Sequence, residues 1–72
     1  MMEVKFKERL KQLRTVNHLL QRDLAEKINV SMDIVHNWEK GRSEPGLQDL
    51  INLAITLNTT IDYLVGKDEI EK

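Results

Sequence analysis

The chain has 72 residues, no cysteine, and 11 Lys and Arg against 12 Asp and Glu, for a formal charge of -1. That length allows one small domain with a thin stability margin, and the missing cysteines exclude a disulfide framework and a thiolate metal site. No apolar run is long enough for a membrane span, and the opening MMEVKFKERL has no signal-peptide core, so a cytoplasmic domain is expected.

The single Pro and the three Gly all fall after residue 40, and aromatic residues are scarce. No stretch alternates apolar and polar residues for long, so helices are expected. A first helix is placed at Glu3 to Asn17, with Phe6, Leu10 and Leu13 on one apolar stripe. A second is placed at Gln21 to Ile28, with Leu24, Ala25 and Ile28 inward and Asn29 ending it in the left-handed conformation. Ser31 is the expected N-cap of a third helix, with Val35 and Trp38 inward and Gly41 as its stop. Gly41 to Gly46 is a loop by composition. A fourth helix, Leu47 to Leu57, carries Leu47, Leu50, Ile51, Ala54 and Leu57 as its inward set, with Asp49 in its first turn. Asn58 breaks it. Thr60 caps a short fifth helix bearing Ile61, Leu64 and Val65 and closed by Gly66. The chain thus divides into a domain over 1–66 and a polar tail over 67–72 expected to fray.

The informative stretch is Gln21 to Trp38, QRDLAEKINVSMDIVHNW. Two short helices flank a tight turn, and the small Ala25 on the inner face lets the second helix backbone cross close by. Leu24, Ile28, Val30, Val35 and Trp38 form the shared apolar wedge. This is a helix-turn-helix arrangement, with the unit at about 21–40. Gln21, Leu24, Ala25, Ile28, Val30, Val35, Trp38, Glu39 and Gly41 stand at the spacings of the XRE/Cro-type helix-turn-helix family, which the chain resembles from about Glu8 to Gly66. It departs from that pattern at Asn29, usually Gly, and at Leu20, usually a small residue that caps the second helix. The resemblance implies an all-α, compact five-helix fold like that of the lambda repressor. It also implies sequence-specific binding of double-stranded DNA by a transcriptional regulator, with repression the expected effect.

In that family the outward face of the third helix reads bases, which maps onto Met32, Asp33, His36 and Asn37. An amide such as Asn37 suits adenine, Met32 a thymine methyl, Asp33 a cytosine amine, and His36 a guanine or a phosphate. Gln21, Arg22, Ser31, Lys40 and Arg42 flank that helix and are the candidate phosphate contacts. The resemblance also pairs Arg14 on the first helix with Glu39 at the end of the third, a bidentate match that would orient the reading helix.

The net charge of -1 argues against a polyanionic partner until its distribution is considered. Residues 1–43 hold nine Lys and Arg against six acids, a net +3, and residues 44–72 hold two lysines against six acids, a net -4. The half with the helix-turn-helix is the positive one. No nucleophile, base and orienter can be assembled, so no enzyme activity is expected, nor any cofactor, metal or small-molecule effector. A homodimer on a palindromic operator is expected from the family, with Ile55, Ile61, Tyr63 and Leu64 as candidate contact residues. The competing reading is an antitoxin or other protein-interaction module whose DNA binding is secondary.

Overall fold

The order of helices follows from where the chain can turn left-handed. The structure, a computed structural model, describes residues 5–70. It places helices α1 at Phe6–Val16, α2 at Gln21–Ile28, α3 at Met32–Glu39, α4 at Leu47–Thr56, α5 at Ile61–Val65 and α6 at Lys67–Ile70. No strand occurs among the described residues. Glu3, expected to open α1, lies outside them.

The first four helices end in the same way. His18, Asn29, Gly41 and Asn58 take positive φ values of 58, 60, 74 and 53° just past the last helical turn. The residue after each donates its N–H back into the helix: Leu19 to the Arg14 carbonyl, Val30 to Ala25, Arg42 to Asn37 and Thr59 to Ala54. This is the Schellman closure, which satisfies carbonyls that would otherwise be orphaned and reverses the chain within two residues. Of these residues Gly41 bears the conformation at no steric cost, whereas Asn and His are the non-glycine types most willing to take it.

The core comprises Phe6, Leu10, Leu24, Ala25, Ile28, Val35, Trp38, Leu53, Ala54, Leu57 and Leu64, with Leu13, Leu19, Val30, Leu50 and Ile61 packed on it. Phe6 meets Trp38 edge-to-face with ring centroids 6.3 Å apart, tying the start of α1 to the end of α3. Leu64, a candidate dimer contact from sequence, is fully buried and belongs to this core.

Two expectations require correction. On α4 the packed face is Leu50, Leu53, Ala54 and Leu57, a set at i, i+3, i+4 and i+7. Leu47 is 73% exposed and Ile51 37%, while Leu53 is fully buried. Apolar residues run round most of this helix, so its spacing admits two faces, and contact with α2 and α5 selects one. The tail is also more ordered than its polarity suggests, because Lys67–Ile70 forms α6. Arg9 anchors it: Nη1 donates to Asp68 Oδ1 at 2.6 Å and to the Tyr63 carbonyl at 2.7 Å, and the guanidinium lies 4.1 Å from the Tyr63 ring centroid.

Candidate nucleic-acid interface

The entry to α2 is capped by an unusual route. Leu20 has no side-chain acceptor to offer the first turn. Asp23, at the third helical position, instead accepts the Leu20 N–H on Oδ2 at 2.9 Å. That is one half of a capping box, and it places a carboxylate at the positive end of the helix dipole. Gln21 and Arg22 follow immediately, Arg22 with an exposed side chain whose contact to Asp23 is a loose 3.9 Å.

Between α2 and α3 the chain turns at Asn29, and Ser31 opens the next helix by accepting the Ile34 N–H on Oγ at 3.3 Å. Using that oxygen as acceptor leaves the hydroxyl hydrogen available to a phosphate. Ala25 is buried, 2% exposed, and α2 packs against α3.

The eight residues of α3 are divided by face. Val35 and Trp38 are buried in the core. Met32 and Asp33 are exposed, and His36 and Asn37 are half-buried on the side away from the core. The four base-reading candidates therefore share one outward surface. Ile34 joins them at 40% exposure. Sequence reasoning left it out, although a helical wheel sets it 60° from Asn37 at 100° per residue.

Beneath that surface lies a buried polar lock. Arg14 Nε donates to Glu39 Oε2 at 2.6 Å and Nη2 to Oε1 at 3.0 Å, while Nη1 donates to the Leu19 carbonyl at 2.7 Å. The side chains are 12% and 4% exposed. Hydrogen bonding to Glu39 raises the Arg14 pKa against the opposing effect of burial, and the charge of Glu39 raises it further. A third partner was not evident from sequence: Gln21 Nε2 donates to Glu39 Oε1 at 3.1 Å. The lock thus joins α1, the first residue of α2 and the last residue of α3. One amide hydrogen of Gln21 is committed inward, which leaves its second hydrogen and its oxygen for an outside partner.

Lys40 and Arg42 lie exposed beyond α3. Arg42 is not loosely attached, since its N–H bonds the Asn37 carbonyl at 2.9 Å. A candidate phosphate contact and a candidate base contact are thereby held in one closure. Elsewhere, a shallow hollow of about 210 Å³ and another of about 230 Å³ share Phe6 and Glu44. Both are smaller than the roughly 300 Å³ at which ligand pockets begin. Among the described residues no group of His, Asp and Glu is placed to hold a metal ion, and no helix is long and apolar enough to cross a membrane.

Comparison with known proteins finds relatives and solved structures that share the helix-turn-helix. The transcriptional regulator ImmR of Bacillus subtilis is 35% identical over 65 residues, which are 90% of this chain and 51% of ImmR. The transcriptional activator BcrR of Enterococcus faecalis is 36% identical over 67 residues, 93% of this chain and 33% of BcrR. The chain therefore spans a third to a half of these relatives. Among solved structures, the P22 c2 repressor in complex with a synthetic operator superposes with a TM-score of 0.81 at 26% identity, covering 90% of this chain and 96% of that one. The sequence model of the helix-turn-helix family matches residues 10–64, from the middle of α1 to α5, and the chain belongs to that family.

Proposed function

We propose that this chain binds double-stranded DNA sequence-specifically and regulates transcription, acting in the cytoplasm as a repressor that occupies promoter DNA. The observation that carries this reading is the division of α3. Its inner face is fixed by Trp38 and by the Arg14–Glu39–Gln21 lock, and its outer face presents Met32, Asp33, His36 and Asn37 with no core duty. A helix held this firmly and left open on one side is suited to enter a major groove. The P22 c2 repressor, solved with a synthetic operator, supports a DNA partner for this fold.

In this proposal Asn37 pairs with an adenine edge, and the other three outward residues set preference at neighbouring positions. Gln21, Arg22, Ser31, Lys40 and Arg42 fix register on the phosphates without reading sequence. One domain reads about half a site, so two copies occupy a palindromic operator.

Selection from random duplexes followed by binding titration tests the proposal. An enriched inverted repeat is expected. Asn37→Ala should then cost about 1–3 kcal/mol at one base position and relax preference there, while Arg42→Ala weakens all sequences alike. A selection that enriches nothing would sink the reading.

A further inference from the structure

The outward surface of α3 has a pattern across its width. Successive side chains on a helix are rotated by about 100°. Taken in order round the helix, the residues off the core are Met32, His36, Asp33, Asn37 and Ile34, spread over about 200°. Three polar side chains occupy the middle and an apolar one stands at each edge, Met32 50% and Ile34 40% exposed. No Lys or Arg occurs within α3, so the commonest contact to guanine, a cation on O6 and N7, is missing from this face.

Ile34 is the residue of this set without a role so far. It belongs neither to the core nor to the apolar residues packed on it. Its N–H donates to the Ser31 carbonyl at 3.1 Å and to Ser31 Oγ at 3.3 Å, which fixes its backbone in the first turn of the helix. Helix-turn-helix proteins meet base edges with that end of the second helix of the motif. A β-branched side chain inside a helix also keeps one strongly preferred χ1 rotamer. Ile34 therefore presents a rigid aliphatic surface, whereas the flexible Met32 side chain must be ordered on contact.

A surface of this kind has one counterpart on the floor and walls of a major groove. Base edges there are polar except for the C5-methyl of thymine. The C5 position lies at the outer side of a pyrimidine's groove edge, beside its own strand. Methyl groups therefore line the walls of the groove, and hydrogen-bonding atoms its floor. A helix with a polar centre and apolar edges matches that order.

We propose that Ile34 is a base-reading residue and that its ligand is the 5-methyl group of a pyrimidine in the major groove. This inference rests on the DNA-binding reading above and deepens it. Thymine carries that methyl and so does 5-methylcytosine, and the chemistry on Ile34 is the same for both. At this position the site discriminates by a methyl and not by a hydrogen bond. Burying one methyl against an aliphatic side chain corresponds to about a fourfold change in affinity.

Base analogues that differ by the methyl alone test this on the selected duplex. Replacing thymines singly by uracil should weaken binding about fourfold at one position of each half-site, and Ile34→Ala should make that position indifferent to the exchange. Ile34→Val, still β-branched, should keep the sensitivity, and so should any thymine that lies against Met32. Each ratio is taken within one protein, so a loss of stability in a variant cancels. With cytosine placed at the same position, 5-methylation should strengthen binding by a similar factor and leave Ile34→Ala unmoved. A response to thymine without one to 5-methylcytosine would name thymine alone as the ligand. A uracil scan with no position that Ile34→Ala desensitises would overturn the proposal, as would a selected half-site with no thymine. If duplex selection enriches nothing, the DNA reading itself falls. If it enriches a site that tolerates uracil throughout, the role of Ile34 falls alone.

Discussion

Glu39 has a side chain only 4% exposed and is held between a guanidinium and an amide. Removing its carboxylate strands the Arg14 charge in a site 12% exposed. Glu39→Ala should therefore cost about 3–5 kcal/mol, enough to unfold much of a domain this small. Replacing both partners with apolar residues, Arg14→Met with Glu39→Leu, should recover most of that loss in thermal melts, because neither charge is then stranded. If the double variant is as unstable as the single one, the lock contributes more than paired charge. The raised pKa of Arg14 also fixes a sign. A cation stabilised by folding contributes at every pH below its usual range and loses that contribution only as pH rises through it. On the guanidinium side, the lock is thus insensitive to pH through neutrality. The Arg14–Glu39 pair was legible in the sequence only through family resemblance, since nothing local marks two residues 25 apart as partners. The link to Gln21 was not legible, because it depends on where the start of α2 comes to rest against the end of α3.

At the scale of helices, the exits carry much of the fold's definition. Asn29 has φ 60°, where a β-carbon costs about 1–2 kcal/mol unless the side chain compensates locally. Asn29→Ala should lower stability by about 1 kcal/mol and Asn29→Gly should not, as measured by urea midpoints. Equal midpoints would show that the left-handed exit is not what the asparagine supplies. At Gly66, with φ 83°, an added β-carbon would also stand 2.8 Å from the Lys5 side chain, so Gly66→Ala should be destabilising by more than Asn29→Ala. Asn29, Gly41, Asn58 and Gly66 could all be placed from sequence, as could the caps Ser31 and Thr60, because each residue type has a local preference for its position. His18 could not, because histidine carries only a weak preference for positive φ. The face of α4 was misjudged because a helix apolar round most of its circumference leaves orientation to tertiary contact. The order of α6 depends on Arg9 reaching Asp68 across 59 residues, which no local pattern records.

For the molecule as a whole, the number of cations facing the phosphates, and not the net charge of -1, would set how the proposed binding responds to salt. Arg22, Lys40 and Arg42 are three exposed candidate phosphate partners per copy, so the proposed dimer would neutralise about six phosphates. The slope of log affinity against log salt should lie near -5. A slope near zero in titrations at several salt concentrations would remove the phosphate assignments. The brevity of α3 bears on a different matter, how a new address could arise. Eight residues are too few to hold a helix in isolation, so the reading element has no existence apart from the scaffold that carries it. Yet Met32, Asp33, His36 and Asn37 stand outside the core cluster, the first two exposed and the last two half-buried. If those four residues read the bases as proposed, descendants of this chain could drift in what they recognise while Val35, Trp38 and Glu39 hold the fold, and a library confined to those four codons would sample new specificities with few folding failures.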